Sequence, residues 1–250
     1  MTQIQTFSSF DGQTLAYHTI GEGRPILMLH GFMASTALNW TGPGITAKLA
    51  ARSRKVIGLD FRGHGASAAH NTHADYPPDV LALDVEAWIK HLGYSDYDLA
   101  TYSMGSRTTV RLLTRGLRPR RLVMGGIGDT GATTIGSRLD YFEDCLLNGE
   151  HSAHPVAAKR MAGMLAAQGL SPHAMLKVLK SQLPVDPAAL AAIETPILIV
   201  NGEGDADNGS PEGLAKLFAD ASAKRVKGDH LTAIGDPALA ELYGDFLSAA

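Results

Sequence analysis

The chain has 250 residues, 45% hydrophobic and 19% charged, with a formal net charge of −3. That composition suits one globular α/β domain, is too apolar and too weakly charged for intrinsic disorder, and lacks the basic excess of an electrostatic nucleic-acid binder. The lone cysteine, Cys145, excludes an intrachain disulfide and a four-cysteine zinc site, and no apolar run approaches the roughly 20 residues of a membrane-spanning helix.

Residues 1–12 are polar, with neither a basic nor an apolar leader segment, so no signal peptide is expected and a cytoplasmic location is inferred. Residues 3–10 and 13–20 flank Asp11-Gly12, a hairpin signal. Apolar runs of strand length follow at 25–29, 55–59, 97–102, 121–125 and 196–200, the pattern of strands buried on both faces of a parallel sheet. Between them Leu81, Val85, Trp88 and Leu92 recur at helical spacing. A helix is expected over 104–117, directly after a strand, and two more over 212–220 and 237–248. The alternation predicts a mostly parallel, doubly wound α/β sheet with an antiparallel N-terminal hairpin. One stretch breaks it: residues 130–194 carry no strand signal, are rich in Ala, Leu and Met, and are punctuated by Pro155, Pro172, Pro184 and Pro187. They read as a small helical cap inserted into a core made of 1–129 and 195–250.

Candidate chemistry sits at the ends of the predicted strands. Thr101-Tyr-Ser103-Met-Gly105 joins a strand to a helix, a sharp turn that presents a serine Oγ at the carboxyl edge of a sheet. The helix N-terminus beneath it favours negative charge. His30-Gly31-Phe32-Met33 follows the 25–29 strand, so the N–H groups of Phe32 and Met104 are candidates for the two donors of an oxyanion hole. Asp205 follows the 196–200 strand and His230 comes 25 residues later, giving the chain order Ser103, Asp205, His230 expected of a nucleophile, an orienting acid and a base. Asp129 and Asp207 are rivals to Asp205 that read instead as solvated or hinge residues.

His30 and His64 read as structural residues that shape their loops. His70, His73, His151, His154 and His173 lack the spacing of a metal site, so no metal is expected. Cys145 reads as a small apolar filler. Met33, Met161, Met164 and Met175 are candidates to line an adaptable pocket. Tyr102 either lines that pocket's floor or packs under the serine turn.

These segments, with Asp60-Phe-Arg-Gly-His-Gly-Ala-Ser67, Gly202-Glu-Gly-Asp205 and Gly228-Asp-His230, resemble the α/β-hydrolase superfamily over nearly the whole chain. The 60–67 segment is similar to a loop of capped esterases, lactonases, haloperoxidase-like enzymes and carbon–carbon bond hydrolases. Two positions depart from the pattern: Thr101 and Ser106 stand where the superfamily usually has glycine. The resemblance implies a serine hydrolase that forms an acyl-enzyme from a small or medium carboxylic ester, lactone or thioester, without a cofactor. Its partner is a small-molecule substrate, with no nucleic acid and no membrane span. The alternatives are a carbon–carbon hydrolase of a dicarbonyl compound using the same three residues, and a non-catalytic binding protein on the same fold. An aspartate-nucleophile enzyme is disfavoured, because serine occupies the turn.

Overall fold

The central strands follow from apolar runs that suit burial on both faces, and the sheet collects the candidate residues at one edge. The structure is a computed structural model that describes residues 3–67, 76–134 and 136–249. His70 and His73 lie outside the described residues. In chain order the strands are β1 (Gln3–Ser8), β2 (Thr14–Ile20), β3 (Arg24–Leu29), β4 (Arg54–Leu59), β5 (Asp98–Tyr102), β6 (Leu122–Gly125), β7 (Ile197–Gly202) and β8 (Ala221–Val226). They form one eight-stranded sheet in the order β1-β2-β4-β3-β5-β6-β7-β8. The hairpin pair and β2–β4 are antiparallel, and every later pair is parallel. Because β4 and β5 flank β3 on opposite sides, the strand order reverses at β3–β5. The loops leaving these two strands therefore open a crevice at the carboxyl edge.

Alternation along the strands builds two cores. Ile26, Met28, Ala100, Val123, Leu198 and Val200 face α1 (Ile45–Ala51) and the C-terminal helix Pro237–Ser248. Leu27, Leu29, Leu99, Leu122, Met124, Ile197 and Ile199 face the other way, toward α2 (Val80–Leu92) and α3 (Met104–Thr114). Both sets are almost fully buried, which is why these strands read as unbroken apolar runs.

Between β6 and β7 the described residues form no strand. The segment carries α4 (Asp129–Thr133), α5 (Gly136–Asn148), α6 (Pro155–Gln168), α7 (Pro172–Lys180) and two 3₁₀ turns, Gly149–His151 and Pro187–Ala192. Proline at the first turn starts α6 and α7, where its missing N–H costs no hydrogen bond. Ala158, Met161, Leu165, Met175 and Val178 from these helices join the same apolar cluster as α2 and α3. Cys145 is buried in it, as a small filler would be.

Three elements differ from expectation. Strand β8 is present where no strand was predicted, because Ala221-Ser-Ala-Lys-Arg-Val is an edge strand with only Val226 buried. The helix expected over 212–220 is the short α8 (Pro211–Ala215). The helix predicted over 104–117 stops at Thr114, and the chain turns at Gly116, which has φ 104°. The C-terminal helix, Pro237–Ser248, is α9 and matches its predicted bounds.

Candidate active site

Ser103 sits between β5 and α3 with φ 50° and ψ −111°, a strained backbone for a residue with a side chain. Gly105 makes the turn sterically feasible, since a Cβ there would stand 2.3 Å from the Leu29 carbonyl oxygen. The Ser103 N–H donates to Gly125 O at 2.8 Å, which ties the turn to the end of β6. Thr101 is completely buried beneath the turn. Its hydroxyl lies 3.0 Å from Ser106 Oγ, which donates to Gly125 O at 2.9 Å, so the two departures from glycine form one buried hydroxyl chain.

His230 approaches from the loop after β8. Its Nε2 lies 2.9 Å from Ser103 Oγ, and its Nδ1 lies 3.0 Å from Asp205 Oδ2. A carboxylate only accepts, so Nδ1 carries the proton and Nε2 is free to accept from the serine hydroxyl. Asp205 is buried just past β7, and its other oxygen accepts the Asp207 N–H at 3.3 Å. Glycines allow this approach: a Cβ on Gly202 would stand 2.3 Å from Gly228 O. Asp205, Asp207 and His230 have donor atoms within 4.8 Å of one another. The His230 nitrogen nearest Asp205 is Nδ1, which already donates to that carboxylate, so a metal held by these three residues would have to displace the Nδ1–H bond to Asp205.

Asp129 does not reach His230. Its Oδ1 accepts the N–H of Ser210 at 2.9 Å and of Thr130 at 2.7 Å, holding the loop before α8. Asp207 is exposed.

The loop after β3 is shaped by two buried histidines. His30 Nδ1–H donates to Gly31 O at 2.7 Å, and its Nε2 accepts the Phe61 N–H at 3.0 Å. His64 Nδ1–H donates to Arg62 O at 3.0 Å, and its Nε2 accepts the Met33 N–H at 3.3 Å. Burial keeps both rings neutral, pushing His30 below its ordinary value and His64 down to about 3. Asn39 Oδ1, on a π-helical turn over Ala37–Thr41, takes the Gly31 N–H at 2.7 Å. Among the described residues the N–H groups of Phe32 and Met104 have no protein acceptor, and both residues line the cavity beside Ser103.

That cavity measures about 320 Å³ and lies between the sheet edge and α5–α6. Of the four candidate methionines, Met33, Met161 and Met164 line the cavity and Met175 is fully buried elsewhere. Tyr102, a pocket candidate from the sequence, is not among the lining residues. Its ring packs against Gly125 and Gly126, and its hydroxyl donates to His230 O at 2.9 Å, because a β5 side chain on this face points under the turn. Sequence reasoning passed over Arg107, Arg138 and Asn208, which also line the cavity. Arg107 had a signal, since it lies four residues past Ser103 on the same helix face. Arg138 and Asn208 had none.

Residues 26–240 match the sequence profile described as the alpha/beta hydrolase family. The AB hydrolase superfamily protein YisY of Bacillus subtilis (strain 168) is 36% identical over 107 residues, 41% of this chain and 36% of that protein. The non-heme haloperoxidase of Rhodococcus erythropolis is 34% identical over 105 residues, 42% of this chain and 36% of that one. The matched segments thus span about a third of these curated relatives. Among solved structures, an esterase (EaEST) from Exiguobacterium antarcticum superposes with a TM-score of 0.79 at 18% identity, covering 98% of this chain and 99% of that one, a likeness of fold. No described helix is long and apolar enough to cross a membrane.

Proposed function

The chain belongs to the alpha/beta hydrolase family, and from that premise we propose that it is a serine hydrolase acting on a small or medium carboxylic ester, lactone or thioester. The observation that carries the reading is the relay from Ser103 Oγ through His230 to Asp205, with links of 2.9 and 3.0 Å. His230 Nε2 takes the hydroxyl proton as Ser103 Oγ attacks the carbonyl carbon. Asp205 holds the ring in the required tautomer and supports the imidazolium. The free N–H groups of Phe32 and Met104 receive the oxyanion, a contribution of about 10²–10³ in rate per donor. His230 then gives its proton to the leaving group, and water repeats the sequence on the acyl-enzyme. In this reading, residues 130–194 act as the cap that closes over the acyl or ring portion of the substrate.

The test needs no knowledge of the substrate. A serine-reactive fluorophosphonate is read by intact mass and peptide mapping, on wild type beside Ser103→Ala and His230→Ala. The expected result is a single adduct on Ser103, absent in the first variant and strongly slowed in the second. Folded wild-type protein that takes up no adduct would overturn the reading.

A further inference from the structure

The cavity beside Ser103 has mostly apolar walls, yet three arginines line it: Arg107, Arg138 and Arg160. Arg107 stands one helical turn past Ser103, with its backbone N–H donating to Ser103 O at 2.9 Å. Its Nη1 donates to the carbonyls of Gly131 and Thr134 at 2.5 and 2.6 Å, and its Nη2 is buried with no partner. Arg138 reaches in from α5, donating to Asp207 O at 2.6 Å and to Asn208 Oδ1, with its guanidinium 5.5 Å from the Phe142 ring centre. Arg160, on α6, is exposed at the rim.

None of the three has a carboxylate at ion-pair distance among the described residues. The fold treats its most deeply buried arginines differently: Arg62 is paired with Asp11 and Asp84, and Arg54 with Asp98. Arg107 is held down to about 10 by burial and by the charge of Arg138, with no acid offsetting either. Burial also lowers Arg138, against an opposing pull from Asp207, Asp205 and Tyr141. Asp205 is engaged with His230, and Asp207, though it lines the cavity, faces Arg138 through its backbone carbonyl. Two guanidiniums lining one half-apolar cavity repel each other and are poorly solvated. An anion seated between them removes both penalties and accepts charge-assisted hydrogen bonds from the unpartnered Nη2–H groups of Arg107.

We infer that the substrate carries a carboxylate held between Arg107 and Arg138, so that the enzyme cleaves half-esters of dicarboxylic acids in preference to neutral esters of the same length. Arg160 at the rim draws the anion in. The inference rests on the serine-hydrolase reading above, and its failure is distinguishable from the failure of that reading.

The experiment compares para-nitrophenyl monoesters of succinic, glutaric and adipic acid with the butyrate, valerate and hexanoate. At one length or more, wild type should favour the anionic ester in kcat/KM by about tenfold or more, the scale of one charged hydrogen bond. Arg138→Gln should lower that preference by about tenfold, and so should Arg107→Gln where it folds. Glutarate should slow fluorophosphonate labelling of Ser103 in wild type and do so far less in Arg138→Gln. A preference for the neutral ester at every length, or a preference that Arg138→Gln leaves intact, overturns the inference. Labelled Ser103 without an anion preference leaves the hydrolase and removes only the anion site, whereas unlabelled, folded wild type removes both.

Discussion

Replacing Thr101 by glycine, the residue the family usually carries there, tests whether the buried hydroxyl chain stabilises the serine turn or merely crowds it. Thr101 is completely buried, with its hydroxyl 3.0 Å from Ser106 Oγ and 3.3 Å from Val123 O. The substitution removes two buried carbons, about 1.5 kcal/mol at 0.8 kcal/mol each. It adds the entropic cost of glycine within a strand, about 0.5–1 kcal/mol, and loses one neutral hydrogen bond, about 1 kcal/mol. The total is about 3 kcal/mol of destabilisation. Thr101→Val keeps the volume and loses only the hydroxyl, for about 1 kcal/mol. Equilibrium urea unfolding reads both. A double-mutant cycle with Ser106→Ala should return a coupling of about 0.5–1 kcal/mol, because the two hydroxyls share one bond. Two results refute the reasoning. A Thr101→Gly protein at least as stable as wild type would show that the side chain is strained against α3. A cycle with no coupling would show that the hydroxyls act separately.

Tyr102→Phe leaves the ring on Gly125 and Gly126 but removes the donor to His230 O, so His230 loses one restraint on its position. Ser103 labelling and kcat/KM should fall by about fivefold to tenfold, the equivalent of one neutral hydrogen bond; unchanged labelling kinetics would contradict the positioning role. Burial holds His64 neutral in the fold, with its pKa pushed down from the usual 6.5 to about 3. Below about pH 6.5 the unfolded chain takes up a proton that the folded one refuses, so stability falls as pH drops toward 3, by about 1 kcal/mol per pH unit from this residue. Urea unfolding at stepped pH from 7 to about 5 should show that slope in wild type and a shallower one in His64→Gln, with His30 contributing in the same direction. An identical slope in the two proteins would exclude His64 as its source.

The buried parallel strands and the candidate residues at their ends were legible in the chain, because burial on both faces imposes an unbroken apolar run and the serine turn must follow such a run directly. Ser103, Asp205 and His230 are 127 and 25 residues from their partners in space, yet each is marked locally by the strand end or loop that presents it. The unpredicted β8 had no such mark, since an edge strand that buries only Val226 carries almost no apolar pattern. Whether Tyr102 faced the pocket or the underside of the turn was open in the sequence, and the packing of its ring on Gly125 and Gly126 decided it. The facing of Arg107 and Arg138 across one cavity was likewise invisible. Periodicity tells which side of its own element a residue occupies, but only the laying of α5 over the carboxyl edge of the sheet brings two cations 31 positions apart to the same space.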